Sequence, residues 1–145
     1  MNDCQICRKH EQDDPYFVAE KGAYRIYHSL LQSQLLGYLY VEPKRHVERW
    51  AELGAEERRQ LPELIAELEQ WLGAEVDARK IYTLTIGETV RHLHMHIIPR
   101  SGSSVLDSMD LIQQVAIRKG AFGPVPVQER QIAELTAKLR ASLAD

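Results

Sequence analysis

The chain predicts an α+β domain, a small antiparallel sheet with helices on one side. Three observations carry this. Segments 24–28, 38–41, 81–86 and 92–98 are rich in aromatic and β-branched residues, as strands are. Leu61, Leu64, Ile65, Leu68 and Leu72 recur at i, i+3, i+4, i+7 and i+11, one face of a helix. Ile132, Leu135, Leu139 and Leu143 form a second such stripe, an amphipathic helix that has to dock on something.

Taken in order, segments 24–28 and 38–41 read as neighbouring antiparallel strands, with Gly37 as punctuation between them. A helix is expected over residues 55–72, with Pro62 marking a kink or a restart near its beginning. Strand 81–86 turns at Gly87, and strand 92–98 stops at Pro99. A short helix is expected over 110–119, and the two glycines and two prolines of 120–126 read as a linker. The domain division is therefore 1–119, a linker at 120–126, and a helical tail at 127–145, for which a crossing to a partner subunit is one expectation.

At 145 residues the chain is one domain's worth, long enough to bury a core. The longest apolar run is residues 35–41, far short of the roughly 20 residues that span a bilayer, so no membrane partner is expected. A net charge of −3 argues against a broad basic surface for nucleic acid. Residues 1–5 carry no secretory pattern, and the expected compartment is the cytoplasm. In that compartment the two cysteines, Cys4 and Cys7 at C-x-x-C spacing, suggest a metal site or a redox motif.

Three of the six histidines, His92, His94 and His96, alternate with Leu93, Met95 and Ile97. In a strand this sends the imidazoles to one face and the apolar side chains to the other, which would pack on the helices. Neighbouring histidines on such a face stand about 6.6 Å apart, close enough to work on one small anion or metal. A neutral imidazole with one nitrogen held and the other free serves as a nucleophile at phosphorus or as a metal ligand. The pattern alone fits either chemistry.

Residues 87–100, Gly-Glu-Thr-Val-Arg-His-Leu-His-Met-His-Ile-Ile-Pro-Arg, resemble the signature of the histidine triad (HIT) family of nucleotide hydrolases and transferases. Residues 37–49, with Pro43-Lys44-Arg45-His46, resemble the family's strand and Pro-Lys-x-His turn. Cys4-x-x-Cys7 resembles the N-terminal zinc half-site of its bacterial members. The resemblance covers roughly residues 4–100. It implies a five-stranded antiparallel sheet with helices packed on it, and a homodimer. It also implies that His94 is the nucleophile toward the α-phosphorus of a nucleoside phosphoanhydride or phosphoramidate, forming a covalent nucleotidyl-histidine. His96 and Thr89 would hold phosphate oxygens, and Cys4, Cys7, His46 and His92 would bind a structural zinc.

Three positions depart from the family's pattern. Glu88 stands where many members have Gln against phosphate, and a carboxylate about 4 Å from a phosphate oxygen costs about 4 kcal/mol at an effective dielectric of 20. Ser29, after His28, stands where Asp or Asn commonly grips the ribose. Tyr38 replaces a supporting histidine and offers a hydrogen bond but no base near neutral pH. His28, Ser29, Glu88, Thr89 and Arg100 are candidate substrate contacts, and Lys44, Arg45 and Arg91 a candidate positive rim. His10 is expected in solvent, and Trp50 and Trp71 in packing. Two rival readings stand beside the nucleotidyl transferase: a zinc hydrolase using His46, His92 and His94 as an open site, and a nucleotide-binding module without turnover.

Overall fold

The computed structural model describes residues 3–101, 108–118 and 126–144. Its elements run α1 (Gln5–His10), β1 (Phe17–Lys21), β2 (Tyr24–His28), β3 (Leu39–Pro43), α2 (Ala55–Glu75), β4 (Ala78–Leu84), β5 (Met95–Ser101), α3 (Ser108–Ile112) and α4 (Glu129–Leu143). The five strands form one antiparallel sheet in the order β1-β2-β3-β5-β4. This is the α+β architecture expected, except that helices lie on both faces of the sheet and not on one side.

One face carries the main core. Val18, Ile26, Leu39, Val41, Leu93, Met95 and Ile97 meet Leu61, Leu64, Leu68 and Leu72 of α2 and Leu139 and Leu143 of α4. The helix α2 runs unbroken through Pro62, which is solvent-exposed. Its apolar stripe is buried on both sides of the proline, and that burial outweighs one missing backbone hydrogen bond. The opposite face carries a smaller core, in which Tyr38 and Ile98 pack against Leu111 and Val115. The segment expected as a helix over 110–119 is α3 followed by π-helical turns at Gln113–Arg118. The expected linker lies outside the described residues except for Pro126.

The helix α4 packs on its own sheet. Arg140 donates from Nε to the Val18 carbonyl at 2.6 Å and from Nη2 to the Phe17 carbonyl at 2.8 Å, and Lys21 Nζ donates to the Leu143 carbonyl at 2.9 Å. These bonds satisfy carbonyls of the edge strand β1 and of the helix C-terminus. The tail helix thus packs on the same sheet as α2 within the chain.

Two elements were not anticipated individually. The strand β1 is joined to β2 by a two-residue turn at Gly22-Ala23, where Gly22 has φ +59°. The helix α1 has six residues, too few to show a periodicity. The strand β5 also begins later than expected, at Met95, and continues through Pro99. Its ladder with β3 ends at Ile97, so Pro99 needs no N–H on that side. Gly37, at φ +90°, makes the turn into β3 where a Cβ would come within 3.1 Å of Leu72.

Because Leu139 is fully buried in the core shared with α2, Leu139→Ala is expected to cost about 2–5 kcal/mol. Denaturant unfolding followed by far-UV and tryptophan signals should give one coincident, shifted transition. A separate early transition for the helix would show that α4 is not part of the main core.

Candidate active site and metal centre

The segment 92–94 precedes β5 and lies outside its ladder, so side chains and loops hold it in place. Leu93 N donates to the Val47 carbonyl at 2.7 Å. His92 is fully buried, and its Nε2–H donates to the Pro43 carbonyl at 2.8 Å, which leaves Nδ1 as the nitrogen with a lone pair. That Nδ1 is 3.5 Å from both Cys4 Sγ and Cys7 Sγ. His46 Nδ1 is 3.5 Å from Cys7 Sγ, and the ligand atoms of Cys4, Cys7, His46 and His92 all lie within 4.8 Å of one another.

These separations suit one ion. Zinc–sulfur and zinc–nitrogen bonds of about 2.3 and 2.05 Å at a tetrahedral angle put S and N about 3.6 Å apart. The donors are two thiols and two imidazoles, and the Pro43 carbonyl fixes the tautomer of His92 from the far side of its ring. Burial, and then the adjacent Cys4, push the Cys7 thiol up to about 11, so thiolate at this position calls for a cation. Burial also holds His92 below the ordinary imidazole value, in the neutral form a ligand needs. The cluster is a structural zinc site: four protein ligands close the coordination shell.

His94 is outside that shell. Its Nδ1–H donates to the carbonyl of His92 at 2.7 Å, leaving Nε2 unprotonated, and its ring lines a cleft of about 500 Å³. His96 lines the same cleft, with its ring centroid 5.1 Å from that of His94. Its Nδ1 is hydrogen-bonded to the Tyr38 hydroxyl at 2.7 Å. Burial raises the Tyr38 phenol far above its ordinary range, so it stays protonated in this contact. Leu93, Met95 and Ile97 enter the main core as expected, but the three imidazoles divide: His92 goes to the metal, and His94 and His96 go to the cleft.

Of the other candidates, Glu88 and Thr89 line the cleft on the turn after β4. His28, Ser29 and Arg100 do not. His28 donates from Nδ1 to the Ser29 carbonyl at 2.8 Å and accepts the Gly37 N–H on Nε2 at 2.9 Å, so both nitrogens close the loop into β3. Ser29 is buried beside it. Arg100 lies opposite Lys80 near the end of β5. Lys44 and Arg45 pair with Glu20 and Glu57, and Arg91 is exposed outside the cleft. Trp71 packs against the core, whereas Trp50 remains 39% exposed.

The remaining wall of the cleft comes from residues not singled out beforehand: Gln5, Ile6 and Lys9 of α1, and Tyr40 and Glu42 of β3. Among the described lining residues Lys9 is the one Lys or Arg, with Nζ 2.6 Å from Glu42 Oε2 and 4.0 Å from the centre of the Tyr27 ring. His10, placed in solvent by its charged neighbourhood in sequence, has a side chain only 9% exposed and bonds Glu42 Oε1 at 2.9 Å. The available signals were the C-x-x-C pair, which brings α1 to the histidines, and the period-2 set Tyr38, Tyr40 and Glu42.

A family model described as the HIT domain matches residues 10–103. The chain belongs to the HIT family. Members of this family are nucleotide hydrolases and transferases. Among solved structures, a HIT family member from Bacillus subtilis is 26% identical, covering 73% of this chain and 82% of its own, with a TM-score of 0.61. A hypothetical histidine triad nucleotide-binding protein from Sulfolobus tokodaii is also 26% identical, covering 97% and 92%, with a TM-score of 0.66. A zinc-bound histidine triad protein from Mycobacterium smegmatis shares the fold at 15% identity, covering 99% and 96%, with a TM-score of 0.72. No curated protein matches the sequence. Among the described residues of this HIT chain, no helix is long and apolar enough to cross a membrane.

Two outcomes follow from this geometry. Metal uptake near neutral pH should release at least one proton, from Cys7, measurable by calorimetry in buffers of different ionisation enthalpy; proton-free binding would contradict thiolate ligation. Burial alone would raise the Glu42 carboxyl, but His10 and Lys9 outweigh it and hold it below 4.5. Its stabilising contribution is therefore present above the ordinary carboxylate value and lost as pH falls through the lower folded value. Glu42→Gln should cost about 1–3 kcal/mol at neutral pH, and its deficit against wild type should shrink below pH 4.5. A deficit unchanged from pH 7 to pH 3 would contradict this assignment.

Proposed function

We propose that this HIT protein cleaves a nucleoside phosphoanhydride or phosphoramidate at the α-phosphorus, by hydrolysis or nucleotidyl transfer, through a covalent nucleotidyl-His94. The observation that carries this reading is the pinning of His94 Nδ1–H on the His92 carbonyl, which leaves the Nε2 lone pair to the cleft. In the first step Nε2 forms a bond to phosphorus while the bond from phosphorus to the leaving oxygen or nitrogen breaks. The leaving group departs with a proton taken from solvent, and the adjacent His96 ring lies where it can hydrogen-bond to it. In the second step water attacks the same phosphorus and gives up a proton to solvent, the phosphorus–nitrogen bond breaks with its electron pair returning to His94, and the nucleoside monophosphate is released.

The cleft's contribution is position and hydrogen bonding. Thr89 and the backbone around Gly87 supply donors for the non-bridging oxygens. Glu88 is exposed on the same turn, and its carboxylate disfavours phosphate close beside it. Zinc supplies structural cross-linking in this scheme and no catalytic step. A zinc-hydrolase mechanism through His46, His92 and His94 is less well supported, because the donor set is complete without His94 and leaves no position for water. The reading includes a homodimer, supported by β4, whose outer edge has no strand neighbour among the described residues.

Intact-protein mass spectrometry after a brief mix with adenylyl donors tests the reading. Wild type should gain one acid-labile AMP, and His94→Ala should gain none. Monophosphate release without any adduct would reject covalent catalysis, and nucleotide binding without product would leave a binding module. Tyr38→Phe should still form the adduct, about tenfold more slowly, since a neutral hydrogen bond is worth about 1–1.5 kcal/mol. An unchanged rate would remove Tyr38 from the positioning of His96.

A further inference from the structure

We propose that His92 is a positioning residue through which the metal centre and the nucleotide cleft are thermodynamically coupled, so that each ligand tightens the binding of the other. The inference rests on the reading of the cleft as a nucleotide site.

Two physical connections carry it. The first is through His92 itself. Its ring is held by the cluster on Nδ1 and by Pro43 on Nε2, and its backbone carbonyl is the acceptor that fixes the proton of His94 on Nδ1. The strand ladder does not reach this segment, because the pairing of β5 with β3 starts at Met95. The carbonyl that selects the His94 tautomer is therefore held from two sides, by the ring of a metal ligand and by the Leu93 N–H of its own peptide unit, which donates to the Val47 carbonyl. The second connection is α1. Cys4 and Cys7 bind the cluster, while Gln5, Ile6 and Lys9 of the same helix form a wall of the cleft. Six residues cannot sustain a helix alone, so the cluster and the bonds of Lys9 and His10 to Glu42 keep that wall in place. Releasing the metal removes one of the holds on both the wall and the acceptor, and a nucleotide then has to restore their order at the expense of its own binding.

Linkage makes the effect reciprocal: whatever factor the metal adds to nucleotide affinity, the nucleotide adds to metal affinity. The probe is AMP, titrated by calorimetry into zinc-loaded and chelated protein, with zinc affinity measured by competition with and without AMP. Zinc should tighten AMP by about tenfold, AMP should tighten zinc by the same factor, and added zinc should restore the chelated protein. Nitrogen-15 spectra of histidine-labelled protein should show His94 as the Nδ1–H tautomer when loaded and as mixed tautomers when stripped. A structural metal unconnected to the cleft would change neither.

AMP affinities equal to within about twofold in two forms with the same far-UV spectrum would overturn the coupling and leave the functional reading standing. Failure of the loaded protein to bind any nucleotide would overturn both. Where stripping the metal unfolds the sheet, Cys4→Ser loaded with cobalt(II) takes its place. That variant should stay folded, bind AMP more weakly than cobalt-loaded wild type and show mixed His94 tautomers; wild-type values for both would overturn the proposal.

Discussion

The convergence of Cys4, Cys7, His46 and His92 is the constraint on which the site depends. These residues come from the chain's start, from the turn after β3 and from the approach to β5, and nothing in the backbone ladders holds the first and last of these together. Each is organised from behind as well. Cys4 caps α1, its sulfur accepting the Cys7 N–H at 3.3 Å, and His92 is oriented by the Pro43 carbonyl. The metal centre therefore acts as a cross-link between segments too short to be ordered by their own secondary structure.

The sheet provides the rigid part. Its main face is buried by α2 and α4, so Met95 and Ile97 are locked inward and His96 is locked outward by the strand's alternation. The same alternation on β3 puts Tyr38, Tyr40 and Glu42 on the cleft side, where Tyr40 pairs in register with His96. Tyr38 then orients His96, and Tyr40 stands edge-on to both cleft histidines, at 6.3 Å from His94 and 5.3 Å from His96. The buried Glu42 is tolerated because Lys9 neutralises it and Lys9 and His10 bond its two oxygens, and that cluster fastens the far end of α1.

Charge in the cleft is spare. Lys9 is committed to Glu42, Glu88 is exposed nearby, and the arginines and lysines that sequence suggested as a rim are turned to other partners or to solvent. Among the described residues, the cleft offers imidazole, hydroxyl and backbone hydrogen-bonding groups and little uncommitted positive charge. His28 illustrates how sequence position misleads: a histidine beside a candidate ribose contact has both nitrogens committed to closing its own loop.

Much of this was legible in the sequence for identifiable reasons. Periodicity located α2 and α4 because burial on one face writes itself into residue spacing, and aromatic and β-branched composition located four of the five strands. The C-x-x-C spacing suggested a metal or redox motif, and the resemblance to the HIT family's motifs supplied His46 and His92 as the other two members of the cluster. Short or locally ambiguous pieces were not legible: α1 lacks the length to show a period, β1 has only five residues and a bulge, and Pro99 looked like a strand end. The composition of residues 92–98 likewise suggested one histidine face, while the start of the ladder at Met95 divides the three rings between two sites. By itself the sequence determined which residue types could do chemistry and which faces had to be buried, because side-chain identity and spacing are local properties. Only the tertiary structure decided that His92 turns its ring to the metal cluster while its carbonyl sets the tautomer of His94, and that Lys9 and Glu42 wall the cleft, because strand register and packing set those contacts.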